Sequence, residues 1–263
     1  MKGLASVLVI LLLGGAAWAS PLELSLDGGP ATASLDDLNT SILVFNSLIE
    51  HLNATLAAIP GVTGAVAALP PMISGVSFRA AERYWVDDWI AFTGSFGYYR
   101  TSTATRGQYV GSETSTIDVS AALSTISVLA GVRVQFLDVG LRLAADAAAG
   151  YYYATLDHAV TFEIPSEYPD VIAGVPPEGA GRDAGGAFGA EVGLSIAYPL
   201  FDSFSVEALV AYRWITIPAL RHGAVPLDLD GNGAPEAATL DGLSVQIGFS
   251  LAIDLSLDGE KGE

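Results

Sequence analysis

Arg79, Arg83, Arg133, Arg142 and Arg213 stand in stretches where large apolar and small or polar residues alternate, and each falls on the small, polar side. By the same parity Asp146, Glu191, Glu207, Gln135, Gln246 and Asp254 share that side. A guanidinium presents a planar fork that meets a carboxylate with two parallel hydrogen bonds. Arginines and acids collected on one face therefore predict an ionic network more readily than catalysis. The other reading of the same set is the charged lining of a narrow pore.

A second set is local. Asp228-Leu229-Asp230-Gly231-Asn232-Gly233 has the D-x-D-x-N-G spacing of a calcium loop, which offers hard oxygens at positions 1, 3 and 5. Glu236 takes position 9, so Asp228, Asp230, Asn232 and Glu236 are the candidate Ca2+ ligands. Position 12, normally Glu, is Thr239, and no helix signal flanks the motif. Catalytic chemistry has less to stand on. The histidines are His51, His158 and His222, no G-x-S-x-G occurs, and Asp157-His158 are neighbours that a strand turns to opposite faces. No catalytic residue is assigned, and no enzyme is expected. Gly185-Gly186 and Gly189 precede alternating residues rather than a helix, so they are not read as a nucleotide loop.

The elements that must position these groups are strands. From Leu243 to Leu255 every second residue is large and apolar, and those between are small or polar. The same alternation predicts strands over 74–85, 89–100, 117–136, 139–157, 185–198 and 204–217, with the last over 242–257. Tight turns at Asp87-Asp88, Leu137-Asp138 and Pro199 to Ser203 alternate with long Gly-, Pro- and acid-rich connections at 101–116, 158–184 and 218–241. The apolar parity shifts within 117–136, from Ile117, Val119 and Leu123 to Ile126, Val128 and Val132, and predicts a bulge near 124 or an extension above the membrane. The 139–157 strand overruns through Tyr151-Tyr152-Tyr153 toward Phe162, so these two strands are expected to project beyond the bilayer. The segment Pro21 to Leu26 alternates too, and supplies an eighth strand that would pair with the last.

One helix is predicted over about 35–59. Leu35, Leu38, Ile42, Phe45, Ile49, Leu52, Leu56 and Ile59 are spaced three and four apart, with Ser34 and Asp37 as a capping box and Pro60 as the stop. It is expected to pack on loops, with plugging of the barrel mouth as the alternative. The apolar stretch from Gly61 to Pro71 has no assigned role.

Residues 1–19 read as a signal peptide: Lys2, an apolar run from Leu4 to Leu13, and Ala17-Trp18-Ala19 for cleavage. The chain has no cysteine, is 51% hydrophobic, and has a mean hydropathy of +0.46 and a net charge of −18. Such charge disfavours nucleic acid. The hydropathy suits an outer face that meets lipid, where a charge at the midplane costs about 2–4 kcal/mol, so the charged face must point inward. Tyr84, Trp85, Trp89, Tyr198 and Phe201 cluster near the tight turns, and Tyr98, Tyr99, Tyr151, Tyr153, Tyr212 and Trp214 near the long connections, as two aromatic girdles.

The fold class expected is all-β: a closed antiparallel up-and-down transmembrane β-barrel of eight strands with one amphipathic helix near the N-terminus. Domains would be a signal peptide at 1–19, a first strand with the helix at 20–71, the barrel at 72–257 and an acidic tail at 258–263. With its alternation, loop asymmetry, girdles and inward charge pairs, the chain resembles the small outer-membrane barrels of Gram-negative-type bacteria, the OmpA, OmpX and OmpW type. It departs from them in having Phe249, not its terminal residue, as the last aromatic. The resemblance implies an outer-membrane location, lipid and the barrel-insertion machinery as partners, and a monomer. It implies a structural protein displaying acidic loops, or a passive conduit for small molecules, apolar ones included. A secreted soluble barrel holding an apolar ligand would need the faces reversed.

Overall fold

The computed structural model describes residues 22–111, 113–163 and 179–253. The expected signal peptide, Asp254 and the acidic tail lie outside the described residues. Eight long strands form the barrel: β1 Leu22–Thr32, β2 Ser74–Asp87, β3 Ile90–Val110, β4 Thr114–Asp138, β5 Arg142–Glu163, β6 Gly179–Phe201, β7 Phe204–Trp214 and β8 Gly242–Ile253. Each pairs antiparallel with the next, and β1 closes the ring on β8, with Leu22 opposite Ile253 and Ala31 opposite Ser244. The short alternating segment is thus the eighth strand, and it runs on through Pro30. Pro30 has a partner on β2 but none on β8, where its missing N–H leaves a gap in the ladder. Beside it, a Cβ on Gly29 would fall 2.1 Å from the Val245 carbonyl oxygen, so only glycine permits the approach.

Strand length divides the barrel into two storeys. β1, β2, β7 and β8 stop at a common rim, whereas β3, β4, β5 and β6 run 21, 25, 22 and 23 residues and rise above it. The segment read as a loop at 101–116 is therefore mostly strand, and the ladder between β5 and β6 continues through 158–160 and 179–181, in line with the expected overrun toward Phe162. The Thr, Ser, Gly and acidic residues of these stretches face water on an outer wall that has left the membrane, and so lack the apolar alternation of the lower storey.

Of the two readings of the parity shift near 124, the bulge is absent and the extension above the membrane holds. β4 keeps unbroken register with β3 and β5 from Ile117 to Val134, and the register shifts lie by the tight turns, at Trp85/Asp87, Gln135/Leu137 and Pro199/Phe201. What changes at 124 is the medium. Below it, Ile126, Val132 and Phe136 face outward and Thr125, Ser127 and Arg133 inward. Above it, Ile117, Val119 and Leu123 are still inward, now in an apolar core, while Asp118 and Ser120 meet solvent.

That core is built by helix α1, Asp36–Ala57, lying on the concave side of the tall strands. Leu38, Ile42, Ile49, Leu52 and Leu56 are buried with Ile117, Val119, Leu123, Leu156, Ile217 and Leu240. The helix thus covers the mouth rather than resting on loops alone. The capping box does not form. Leu35 is the N-cap in left-handed conformation (φ 47°, ψ 40°) without a side-chain cap, and the Ser34 hydroxyl turns to the Thr239 carbonyl at 3.5 Å. Full burial of Leu35 and its N–H bond to the Thr239 carbonyl (2.8 Å) hold this strained geometry.

The stretch after the helix proves to be a strap. Asn39, Asn46 and Asn53, seven residues apart on α1, each grip one strap residue by both backbone groups. Asn39 accepts from Met72 N at 2.8 Å and donates to its carbonyl at 3.1 Å; Asn46 does the same to Leu69 at 2.7 and 3.0 Å, and Asn53 to Val66 at 2.9 and 3.0 Å. Seven helical residues rise roughly 10.5 Å and three residues of extended chain span at most roughly 10–11 Å, so the two repeats keep step. On the other side Thr101, Thr103 and Thr105 of β3 donate to the carbonyls of Ser74, Pro70 and Ala67 at 2.7, 2.6 and 2.8 Å. Asn46→Ala leaves the Leu69 N–H and carbonyl unpaired, at a cost of about 1–3 kcal/mol. The expected result is faster proteolysis between residues 60 and 72, with the barrel's heat-modifiable gel migration unchanged.

Candidate functional site

The interior of the lower storey is the site that the inward charges define. Arg83 is central and 1% exposed: its Nη1 donates to Glu23 Oε1 at 2.6 Å and to Glu207 Oε2 at 2.8 Å, and its Nη2 to Glu207 Oε1 at 3.1 Å. Arg133 Nη1 donates to the same Glu207 Oε1 at 2.8 Å and to Asp146 Oδ2 at 3.4 Å, and its Nη2 to Ser195 Oγ at 2.6 Å. Glu207, with no exposed surface, is thus clamped between two guanidinium groups reached from β2 and β4. Arg79 pairs with Glu191 at 3.3 Å, and Arg142 donates to Ser205 Oγ. Arg213 closes the top of the network by donating to backbone: Nε to the Leu240 carbonyl at 2.8 Å and Nη2 to that of Thr32 at 3.0 Å, with its plane 4.6 Å from the Tyr99 ring centre.

Of the residues predicted for this network, Arg79, Arg83, Arg133, Arg142, Asp146, Glu191, Glu207 and Arg213 come together inside; Asp254 lies outside the described residues. Two members were not foreseen. Glu23 and Asp27 are 6% and 2% exposed on the inner face of β1, and the alternation of Leu22, Leu24 and Leu26 was the signal that would have found them. Two aromatics expected in the girdles also point in. Tyr99 is buried under Arg213, and Trp85 donates its indole N–H to Glu23 Oε2 at 3.1 Å. Between network and cap remains a polar cavity of about 30 Å³, faced by Tyr99, Tyr152, Thr125 and Gln246, a size that suits a water molecule.

In the cap, Asp228, Asp230 and Glu236 place carboxylate oxygens within 4.8 Å of one another. Asp228 accepts the N–H groups of Gly231 and Gly233 at 2.8 and 2.9 Å, which folds the loop around it. Glu236 is held from outside the loop, by the Ser41 hydroxyl of α1 at 2.7 Å and Leu229 N at 3.1 Å, and burial holds its carboxyl above the usual carboxylate range. Asn232 does not join them: its Oδ1 accepts from Ala234 N at 2.6 Å. Three hard oxygens converge, a set that fits a calcium ion completed by backbone or water.

The histidines form a cluster that sequence distance concealed. His158 Nε2 lies 2.8 Å from Asp183 Oδ2, and His222 Nδ1 lies 3.8 Å from Asp183 Oδ1. On the outer face of the same two strands Arg182 Nη2 donates to Asp157 Oδ2 at 3.1 Å and, with its Nε, holds that exposed carboxyl below its usual range. His51 is exposed on α1.

The outer wall completes the site. Leu24, Phe78, Phe92, Phe136, Leu194, Val210 and Ile247, one from every strand but β5, are all more than a third exposed, and β5 turns Ala147 and Ala149 outward to continue the apolar band. Tyr198 and Phe201 border it on the tight-turn side, and Tyr151, Tyr153, Phe188, Tyr212 and Trp214 on the other. Water would not tolerate this surface and lipid requires it. The chain is therefore an integral membrane β-barrel of the outer-membrane type, and the reversed arrangement of a soluble barrel is overturned: Arg133, Arg142 and Glu207 point in.

No family model and no curated protein matches the sequence. Similar solved structures include Neisserial surface protein A, at 12% identity over 88% of this chain and 96% of that one with a TM-score of 0.43. The outer membrane protein OprG from Pseudomonas aeruginosa is 13% identical over 89% and 96%, with a TM-score of 0.41. The outer membrane protease OmpT from Escherichia coli is 7% identical over 89% and 96%, with a TM-score of 0.39. Small outer-membrane barrels, as expected, are thus among the structures that the chain resembles.

Glu207→Ala leaves Arg83 and Arg133 without their shared anion, and breaking a buried pair in this way costs about 3–5 kcal/mol. The temperature at which the folded band converts to the unfolded band on a detergent gel should fall clearly. Arg106→Ala removes a solvent-exposed pair with Asp118 (3.3 Å) and should shift that temperature little, at under about 1 kcal/mol.

Proposed function

We propose that the protein is a sealed, non-catalytic barrel whose role is structural: it anchors a rigid acidic cap on the outer surface of the membrane, as a monomer in lipid. Double closure of the lumen carries this reading. The clamp of Arg83, Glu207 and Arg133 fills the lower storey, and α1, the strap and the 215–241 connection fill the upper one. An eight-stranded interior is about as wide as the side chains that fill it. The cap exposes Asp36, Asp37, Glu50, Glu113 and Asp228, so a partner at this surface would be cationic. The carboxylates of the lower storey are engaged by arginine, serine or tryptophan and so are poorly placed to activate a water, and Asp183 above them is held by His158 with no nucleophilic side chain assigned beside it. Insertion machinery would engage the strand pair β1–β8, where the ring closes.

Purified protein in a planar bilayer should give no conductance steps; stable steps from the intact chain would overturn the sealed reading. A second reading, a conduit for small apolar molecules, is favoured by one feature. A cavity of about 110 Å³ lies between α1 and the inner wall, lined by Leu38, Ile42, Phe45, Met72, Val119 and Leu156. Liposomes carrying the protein would then take up a small hydrocarbon faster than empty ones, while remaining electrically silent.

Calcium belongs to the cap on this proposal, with Asp228, Asp230 and Glu236 as ligands that tie the loop to α1 through Ser41. Calorimetry should show calcium binding in the low-millimolar range or tighter. Binding should weaken as pH falls, because Glu236 regains its proton at a higher pH than an ordinary carboxyl, and Glu236→Gln should remove it. No heat at neutral pH would sink the assignment.

A further inference from the structure

Between the two girdles, Glu82 is the one charged side chain on the outer wall among the described residues. It stands on β2 with Leu24 of β1 on one side and Gly94 of β3 on the other. A Cβ on Gly94 would fall 2.7 Å from Glu82 Oε1, so the carboxylate lies over bare backbone. Among the described residues it has no hydrogen bond and no ion pair. Around it opens a lipid-facing groove of about 340 Å³, lined by Leu24, Leu26, Ala80, Gly94, Phe96 and Val128. The groove exists because Ala80 and Gly94 are small where their neighbours Phe78, Phe92 and Phe96 are large. Glu82 lies one strand repeat inside Tyr84, roughly 5 Å deeper at the tilt of a barrel strand.

A carboxylate at this depth needs a cation, and among the described residues the outer wall offers none between the girdles. A second copy cannot supply one either, since the same wall would bring only another Glu82. The head group of a phospholipid lies within reach, because a glutamate near an interface extends its carboxylate toward it. We propose that this groove binds a phospholipid carrying a primary ammonium: the ammonium pairs with Glu82, and one acyl chain lies along Leu24, Leu26, Ala80, Gly94 and Phe96. A primary ammonium is compact and donates three hydrogen bonds. A quaternary choline donates none, so the site should distinguish the two.

The test is native mass spectrometry of the full-length protein released from vesicles of equal parts phosphatidylethanolamine, phosphatidylcholine and phosphatidylglycerol. The intact chain should retain phosphatidylethanolamine at least several-fold over the other two. Glu82→Gln, which keeps the shape and faces lipid, should abolish the preference while leaving heat-modifiable migration unchanged. Gly94→Leu should fill the groove and lower retention of all three. Equal retention by the intact chain would overturn the proposal. So would a preference that survives in Glu82→Gln, which would mean a neutral carboxyl or a site elsewhere, or a dimer that holds the groove closed.

Discussion

Lipid offers the backbone no hydrogen-bond partner, so every strand edge in the lower storey must find one within the chain. This requirement sets the architecture. The seven strands that follow residue 73 leave two open edges, and β1 is inserted between them, pairing with β2 on one side and β8 on the other. But β1 comes before α1 in sequence, so the chain between Thr32 and Ser74 must leave the ring at the rim and return to it there. A helix and a strap at the mouth follow from closing the barrel with the N-terminal strand. The 215–241 connection starts and ends at the same rim, and its Thr239 and Asp241 carbonyls receive the first N–H groups of the helical segment.

The second governing fact is that the tall strands cross from one medium into another without changing register. A strand exchanges its faces only if a residue is inserted or removed. β4 does neither at the rim, so the composition of each face must change instead: inner positions go from Arg133, Ser127 and Thr125 to Leu123, Val119 and Ile117. The lower storey is an inside-out protein cohering by ion pairs, the upper one an ordinary protein cohering by apolar burial. Each is an answer to what lies outside the wall at that height.

Legibility from sequence follows the same division. Where lipid is outside, alternation is strong, and the strands, the closing strand and the inward arginines are all readable. Above the rim the outer wall is Thr, Ser, Gly and acid, so 101–110 and 179–184 read as loop, while 117–124 and 151–157 stay readable through their apolar inner face. The parity change in 117–136 is visible in the sequence, but it fits a bulge and an extension above the membrane equally well, and only the unbroken ladder decides for the extension. Asn39, Asn46 and Asn53 were also in plain view at a spacing of seven. Their meaning depends on Val66, Leu69 and Met72 at a spacing of three, and neither period is informative without the other. Asp183 between His158 and His222 could not have been found, because only the pairing of β5 with β6 and the fold of the 215–241 connection bring them together.

Two storeys with different cohesion meet at a joint, and Arg213 is its polar part. It is 9% exposed at the top of β7, with a face on the Tyr99 ring and its N–H groups on the carbonyls of Thr32 and Leu240. Those carbonyls belong to the last residue of β1 and to the cap just before β8, the two places where chain passes from barrel to cap beside the seam. An arginine suits this position because its fork holds two acceptors at once and its charge persists at any physiological pH. A lysine would offer a point charge and one direction at a time. The seam that closes the ring is therefore tied to the lid that seals it by one guanidinium, just where the apolar core reaches down to Tyr99, Tyr152 and Leu129 and meets the ionic storey.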